Sequence, residues 1–268
     1  MSNTLFDCSG KVALVTGGNS GIGLGFATGI ARMGGDVAIW SNNPANDSAA
    51  REKLAAAGAG RVRCYEVDVS DEAAVMRGFE QLIDDFGRVD CIVANAGMPP
   101  NAASFLDLES EKWHALLAVN LHGAFYTLRH GARWMVKRAK DGEPGGSLVF
   151  CGSLSMFQGH PGTSNYATAK GGVGAMVRTI AVELGEFGIR ANTVAPGFTK
   201  TGIMAGLDAE TTAKMDDHYA SRTPLHRPGT PEDFEGIAAY LCSDASRFHS
   251  GDTLVIDGAS LVLPAQAV

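Results

Sequence analysis

The chain of 268 residues has few cysteines, and their spacing is irregular. The five cysteines are an odd number and include no Cys-x-x-Cys pair. This pattern argues against a disulfide framework or a zinc site and fits a reducing compartment. The histidines also lack metal-ligand spacing, so we predict no metal site. Cys91 and Cys151 lie in strand-like apolar runs, where we interpret them as small buried hydrophobic residues.

Long apolar runs and an excess of positive charge are missing as well. No apolar stretch reaches the roughly 18 residues of a membrane span, and no basic segment followed by an apolar run opens the chain. The formal net charge of -7 offers no general attraction to nucleic acid or to anionic membranes. We therefore expect no nucleic-acid or membrane partner, and we expect a cytoplasmic protein.

No Pro-rich or Ser-rich linker divides the chain, so we expect a single domain over residues 1–268. Short apolar runs alternate with helix-length patterns, and strands that are apolar throughout are buried on both faces. The alternation predicts an α/β fold, a doubly wound, Rossmann-type parallel sheet of seven strands with helices on both faces. Ser70 is a candidate N-cap for the helix predicted over 71–87. The predicted strands are 11–17, 36–41, 61–70, 89–97, 146–153, 189–197 and 252–257.

A glycine-rich turn, TGGNSGIG, follows the first predicted strand. Gly17, Gly21 and Gly23 remove side chains where the backbone must turn tightly and a diphosphate must approach. The N–H groups and the dipole at the start of the next helix then face the phosphates. Ligands of doubly wound sheets bind at the carboxyl ends of the strands. The turn therefore predicts a dinucleotide site.

The stretch YATAK places Tyr166 and Lys170 one helical turn apart, thirteen residues after Ser153. Reduction of a ketone by hydride leaves alkoxide charge, which needs a proton donor nearby. A free phenol is a sluggish base near neutrality, and an adjacent ammonium group favours its ionised form. Ser153 can hydrogen-bond the substrate oxygen. We predict proton transfer by Tyr166. The alternative is that the pair only forms a solvated helix face, and the presence of the glycine turn in the same chain favours the catalytic interpretation.

These motifs, in this order, resemble the short-chain dehydrogenase/reductase family over nearly the whole chain. The Gly-x-x-x-Gly-x-Gly turn and YATAK carry the resemblance, together with the segments DVS, NAG, VNLHG and PGFTKT. The resemblance implies a catalytic set of Asn120, Ser153, Tyr166 and Lys170. It assigns Asn120 to a water-mediated proton relay with Lys170, and Lys170 also to the nicotinamide ribose hydroxyls.

The resemblance also implies contacts to the adenine from Asp68 and to the nicotinamide carboxamide from Thr199 or Thr201. The sequence departs from the family at Ala94, Ala259 and Gly25, none of which removes a chemical group from the expected site. With the residues that follow the second strand, the expected coenzyme-binding set is Gly17, Asn19, Ser20, Gly21, Ile22, Gly23, Ser41, Asn42, Asn43, Asp68, Val69, Asn95, Ala96, Gly97, Tyr166, Lys170, Pro196, Gly197, Thr199 and Thr201.

The residues after the second strand bear on the choice of coenzyme. NAD usually needs an acidic residue about 20 positions past the glycines, to bind the ribose 2'-hydroxyl. Ser41 occupies that position here, Asn42 and Asn43 follow, and Asp47 comes too late. A carboxylate would repel a 2'-phosphate, so its absence admits NADP, although no arginine is present to bind the phosphate. We prefer NADP(H) over NAD(H) and leave both open.

Substrate choice is expected to rest with the segments 198–226 and 154–164 and with residues near 98–105. Met156, Phe157, Met204 and Met215 suggest a partly apolar pocket, or these side chains only pack the loops.

The predicted function is that of an NAD(P)-dependent oxidoreductase that transfers a hydride between a nicotinamide cofactor and a secondary alcohol or ketone. The alternatives are a catalytically silent nucleotide-binding regulator of the same fold and a sugar-nucleotide epimerase or dehydratase. The family resemblance also implies a homo-oligomer, a tetramer or a dimer.

Overall fold

A parallel sheet forms the centre of the computed structural model, which describes residues 5–201 and 208–263. Its seven strands are arranged in the order β3-β2-β1-β4-β5-β6-β7, as a doubly wound sheet requires. The predicted fold class is therefore confirmed. The strands are β1 (Val12–Thr16), β2 (Asp36–Ser41), β3 (Val62–Glu66), β4 (Cys91–Ala94), β5 (Gly146–Cys151), β6 (Ile189–Pro196) and β7 (Thr253–Ile256).

Helices cover both faces of the sheet. None within the described residues combines the length and apolar character needed to cross a membrane. The helices are α1 (Gly21–Arg32), α2 (Asp47–Ala57), α3 (Glu72–Phe86), α4 (Ser110–Leu117), α5 (Ala124–Lys140), α6 (Ser164–Glu183), α7 (Ala209–Ser221) and α8 (Glu235–Cys242).

Two apolar cores lie on opposite faces of the sheet. One joins the strands to α3, α5 and α6 and includes Trp40, whose ring meets Phe79 edge-on. The other joins the strands to α1, α2 and α8 and includes Phe26, which meets Phe234 edge-on. Because both faces are covered, β1, β4 and most of β2 and β5 are buried along their length. The direction of strand order reverses between β1 and β4, and at their carboxyl ends a doubly wound sheet forms its ligand-binding crevice.

A close crossing between α1 and a short 3₁₀ turn explains one departure from the family pattern. A Cβ added at Gly25 would lie 2.0 Å from the carbonyl oxygen of Pro231. An alanine there would collide with backbone, which cannot move aside as a flexible side chain can. Glycine at this position is therefore required by packing.

The predicted N-cap of α3 is wrong. The N-cap of α3 is Asp71, whose side chain accepts from the N–H of Ala73 at 2.9 Å, while the Ser70 hydroxyl donates to Asp68. Between β4 and β5, α4 begins at Ser110, and a π-helical turn at 118–123 separates it from α5.

The expectation of no disulfide is wrong for one pair of cysteines. Cys91 on β4 and Cys242 at the end of α8 form a disulfide, with Cα atoms 5.6 Å apart. The two residues are 151 positions apart and meet only because α8 packs on the sheet, so local spacing carried no signal for the bond. Cys151 is free and buried, as interpreted from the sequence.

Candidate active site

The glycine-rich turn connects β1 to α1 at the crevice. Gly17 and Gly21 have φ angles of +63° and +52°, which favour glycine, and a Cβ at Gly23 would lie 2.2 Å from the Gly17 carbonyl oxygen. Ser20 precedes α1 but makes no side-chain capping bond. The first N–H groups of α1, among them that of Ile22, therefore have no capping side chain among the described residues. They form a cradle for an anion such as a phosphate.

Thr16, which the sequence analysis did not single out, braces this turn. Its Oγ1 accepts hydrogen bonds from the backbone N–H groups of Asn95 and Ala96 at 3.0 and 2.9 Å. The side chain of Asn95 donates in return to the Thr16 carbonyl at 2.9 Å. The NAG segment, which Gly97 completes, thus locks the end of β4 to the end of β1. Asn95 is placed to shape the cradle from behind.

The loop after β2 is also tied to the glycine turn. Asn19 is 6% exposed, and its Nδ2 donates to the Asn43 carbonyl and to Asp47 Oδ1, both at 2.8 Å. The Ser41 hydroxyl donates to the same carbonyl at 2.9 Å and accepts from the Asn43 N–H at 3.0 Å. Asp47, expected to lie too far along the chain, is therefore beside the turn. Asn42 remains exposed.

The segment expected to contact adenine follows β3. Asp68 accepts from the N–H and the hydroxyl of Ser70 at 2.9 and 2.7 Å, which holds the carboxylate in a tight turn. Val69 is buried against the start of α5, where a Cβ on Gly123 would lie 2.7 Å from a Val69 methyl carbon. The segment is therefore held rigidly at the edge of the crevice.

Lys170 is the most deeply buried charged group at this end of the sheet. It is 3% exposed, and its Nζ donates to the carbonyl of Cys151 at 2.7 Å. The ammonium lies 4.9 Å from the ring centroid of Phe150 and 5.7 Å from that of Tyr166. No described carboxylate pairs with it, so ring faces and a carbonyl stabilise its charge. The bond also ties the helix that carries Tyr166 to the end of β5.

Ser153 lies two residues beyond the end of β5. Its Oγ accepts a hydrogen bond from the N–H of Ser155 at 3.2 Å, where it caps a short 3₁₀ turn. A hydroxyl that accepts in this way still has its own proton to donate. Ser153 and Tyr166 are both half-buried, and the Lys170–Cys151 bond links the elements that hold them.

Asn120 lies within the π-helical turn between α4 and α5. It is 1% exposed, its Oδ1 accepts from the Met98 N–H at 2.7 Å, and its Nδ2 donates to the Met98 carbonyl at 2.9 Å. Such turns are rare and often occur at functional sites. The observed contacts fix the loop that follows the NAG segment.

The segment 196–201 runs from the end of β6 to the glycine-rich turn. Gly197 packs against Asp257, where a Cβ would approach to 2.7 Å, and Thr199 donates to the Gly197 carbonyl at 3.1 Å. Thr201 lies against the glycine turn, since a Cβ added at Gly21 would be 3.3 Å from its methyl carbon. Pro196 ends β6 and begins this segment.

Helix α7 packs on this segment and was not predicted. The ring of Phe198 stacks on Tyr219 with centroids 3.4 Å apart, and Lys200 pairs with Asp216 at 2.5 Å. Met156, Phe157 and Met215 are within the described residues, whereas Met204 lies outside them.

The fold and the glycine-rich turn are typical of dinucleotide-binding proteins. Residues 17–259 match a family model described as enoyl-(acyl carrier protein) reductase. An L-rhamnose 1-dehydrogenase (NAD(P)(+)) from a Sphingomonas species is 36% identical over 94% of this chain and 97% of its own length. An NADP-dependent (R)-specific alcohol dehydrogenase from Lentilactobacillus kefiri is 34% identical over 93% of this chain and 96% of its own.

Solved structures agree with the sequence comparisons. A short-chain dehydrogenase/reductase from Mycobacterium marinum superposes with a TM-score of 0.86 at 31% identity, covering 96% of this chain and 97% of that one. A gluconate 5-dehydrogenase from Burkholderia cenocepacia, in complex with NADP and tartrate, gives 0.86 at 30% identity over 97% and 98%. The chain belongs to the short-chain dehydrogenase/reductase family. It is an oxidoreductase for which a nicotinamide cofactor is expected, as the sequence predicted.

Proposed function

We propose that the chain interconverts a secondary alcohol and a ketone, with Tyr166 as the general acid/base. The observation that carries the proposal is the placement of Lys170, which is buried without a carboxylate partner among the described residues. Its ammonium faces the Tyr166 ring, and its hydrogen bond to Cys151 joins the helix of Tyr166 to the strand that leads to Ser153.

Each residue of this set has a distinct task. During reduction, Tyr166 donates a proton to the oxygen of the substrate as charge develops there, and during oxidation it accepts that proton. The Lys170 ammonium favours the phenolate form. The Ser153 hydroxyl donates to the same oxygen and stabilises its charge. Asn120 holds the neighbouring loop and is assigned the proton relay with Lys170.

The crevice fits a nicotinamide dinucleotide, because its glycines allow a tight turn that only residues without a Cβ can form, and the start of α1 is uncapped by side chains. When bound, the nicotinamide supplies or accepts the hydride. The N–H groups of 21–23 would hold the diphosphate, Asp68 and Val69 would border the adenine, and Thr199 or Thr201 would bind the carboxamide.

We propose NADP(H) as the preferred coenzyme. The support is the absence of a carboxylate at Ser41 and the names of two relatives, an alcohol dehydrogenase and a mannitol dehydrogenase described as NADP-dependent. The nearby carboxylate of Asp47 is already engaged by Asn19.

We also propose a homo-oligomer in which a second copy covers the apolar groove between α5 and α6. Leu128, Met176 and Ile180 line the groove, and Val182 on α6 is 83% exposed. The rim carries Arg133 from one helix and Glu183 from the other, so two copies related by twofold symmetry can pair these charges. Sedimentation equilibrium tests this: a monomer at micromolar concentration contradicts it.

The proposed activity is tested with a panel of secondary alcohols and ketones, each with both coenzymes, followed by the absorbance of the reduced nicotinamide. L-rhamnose and mannitol belong in the panel because relatives are named for them. Turnover of at least one member, faster with the NADP pair, supports the proposal. Tight coenzyme binding without turnover of any member would instead favour the silent regulator.

A further inference from the structure

A buried asparagine immediately precedes Tyr166. Asn165 is 1% exposed and lies in the first turn of α6. Its Oδ1 accepts from the backbone N–H of Tyr166 at 2.8 Å, and its Nδ2 donates to Oδ1 of Asn101 at 2.7 Å. The Tyr166 N–H is available for this bond because the helical hydrogen bonds begin with the next residue, from Ala167 to Thr163.

These two hydrogen bonds fix the orientation of both carboxamides. A backbone N–H can only donate, so the Asn165 atom that faces it must be the oxygen. The NH₂ of Asn165 then faces Asn101, whose contacting atom must in turn be its oxygen. The NH₂ of Asn101 is left over, and it has no hydrogen-bond partner within residues 5–201 and 208–263. Asn101 is exposed, so two N–H donors are open to a ligand.

The loop that carries Asn101 follows β4 at the carboxyl end of the sheet. Three residues before Asn101, both backbone groups of Met98 are bound by the Asn120 side chain. One residue after it, Ala102 has a φ of +55° and packs on Gly162, where a Cβ would lie 2.9 Å from the Ala102 Cα. The loop is therefore held on both sides of Asn101.

The contacts of this loop are made with the catalytic elements themselves. Asn165 adjoins Tyr166, and Gly162 belongs to the segment that runs from Ser153 to that tyrosine. The free N–H donors of Asn101 therefore belong to a fixed loop that lies next to the start of α6.

We propose that Asn101 is a substrate-recognition residue whose Nδ2 donates a hydrogen bond to a substrate oxygen beside the reacting carbon. The inference rests on the proposed function at Tyr166 and narrows its substrate class to hydroxylated ketones and polyols. Asn165 is a positioning residue, because it orients Asn101 and is itself only 1% exposed.

The test compares acetoin with butanone, two ketones that differ by one hydroxyl beside the carbonyl. The wild type is expected to prefer acetoin in kcat/KM with saturating NADPH. Asn101→Ala lowers the acetoin-to-butanone ratio about tenfold, the effect of one well-formed hydrogen bond. Asn101→Asp gives a similar fall, because it still accepts from Asn165 but cannot donate.

Gln81→Ala, which removes an exposed carboxamide from α3, is the control and keeps the wild-type ratio. An unchanged ratio in both Asn101 variants overturns the assignment. An equal fall in kcat/KM for acetoin and for butanone overturns it as well, since it indicates a structural role for Asn101. If the wild type converts no member of the wider panel, the proposed function itself is wrong. This outcome is distinct from a failure of the Asn101 assignment alone.

Discussion

The two ends of the central sheet differ in whether a buried charged side chain has an oppositely charged partner. At the amino end, Asp90 is 8% exposed and accepts from the Val12 N–H at 2.9 Å, from Arg88 at 2.8 and 2.9 Å, and from Arg138. At the carboxyl end, Lys170 is 3% exposed, and within the described residues its ammonium has a carbonyl and ring faces around it but no carboxylate. Charge is neutralised where it holds the fold together. Under the proposed function, it is left unneutralised where the phenol of Tyr166 needs a neighbouring cation.

The largest expected effect is on activity, at the carboxyl end. Tyr166→Phe removes the proposed proton donor and should lower kcat about a thousandfold, within the range of general acid–base catalysis. Coenzyme affinity, measured by fluorescence of the reduced nicotinamide, should stay within about threefold, because a retained aromatic ring preserves packing. Tyr65→Phe, which removes a hydroxyl bonded to Asp85 at 2.7 Å, is the control and keeps kcat. Near-normal turnover by Tyr166→Phe would refute the assigned role.

The next effect is on stability, at the amino end. Asp90→Ala leaves two arginines without their carboxylate and should lower the free energy of unfolding by about 3–5 kcal/mol. Urea denaturation measures it. Asp244→Ala removes an exposed pair with Lys11 and should change stability by less than about 1 kcal/mol. If both variants lose the same free energy of unfolding, the contrast between buried and exposed ion pairs is wrong.

The same carboxylate makes stability depend on pH. Burial raises the pKa of Asp90, but hydrogen bonds from Arg88 and Val12 and the charge of Arg138 outweigh it, so the pKa lies below its ordinary value of 3.8. The stabilisation is complete above that ordinary value and is lost as pH falls through the lower, folded-state pKa. Wild-type unfolding free energy should therefore fall more steeply in acid than that of Asp90→Ala. Parallel acid profiles would contradict this.

A smaller effect concerns coenzyme choice. Ser41→Asp keeps an acceptor for the Asn43 N–H and adds a charge that repels a 2'-phosphate, so the ratio of kcat/KM for NADP to NAD should fall about tenfold. Ser48→Asp adds the same charge on an exposed face of α2 and is the control. A ratio that does not respond to Ser41→Asp would remove Ser41 as the discriminating residue.

The smallest effect is on backbone strain near the crevice. Ala259 has a φ of +71°, in the left-handed region that favours glycine. Ala259→Gly should relieve the strain and stabilise the chain by about 0.5 kcal/mol, because the flexible unfolded state offsets part of the gain. Ala55→Gly, on an exposed face of α2, should instead destabilise by about 1 kcal/mol. Thermal unfolding distinguishes the two signs.

The sequence predicts those features of the fold and of the site that depend on residues close together in the chain. Apolar strands and a glycine turn are encoded by neighbouring residues, so the sheet and the cradle were predictable. Thr16 and Asn95 interact across 79 positions, and their contact depends on the register of β1 against β4. The Cys91–Cys242 bond and the Asn101–Asn165 contact likewise arise only after packing. Alternation of apolar and polar residues does not specify such pairs.

The central claim is that the Tyr166 hydroxyl, with Lys170 behind it, faces a nicotinamide ring held by the glycine cradle. The most direct measurement is a crystal structure of the chain soaked with NADPH. We expect the diphosphate on the N–H groups of 21–23 and the reactive edge of the ring in the space shared by Tyr166 and Ser153. A nicotinamide ring bound too far from the Tyr166 hydroxyl for one substrate molecule to contact both would contradict the account.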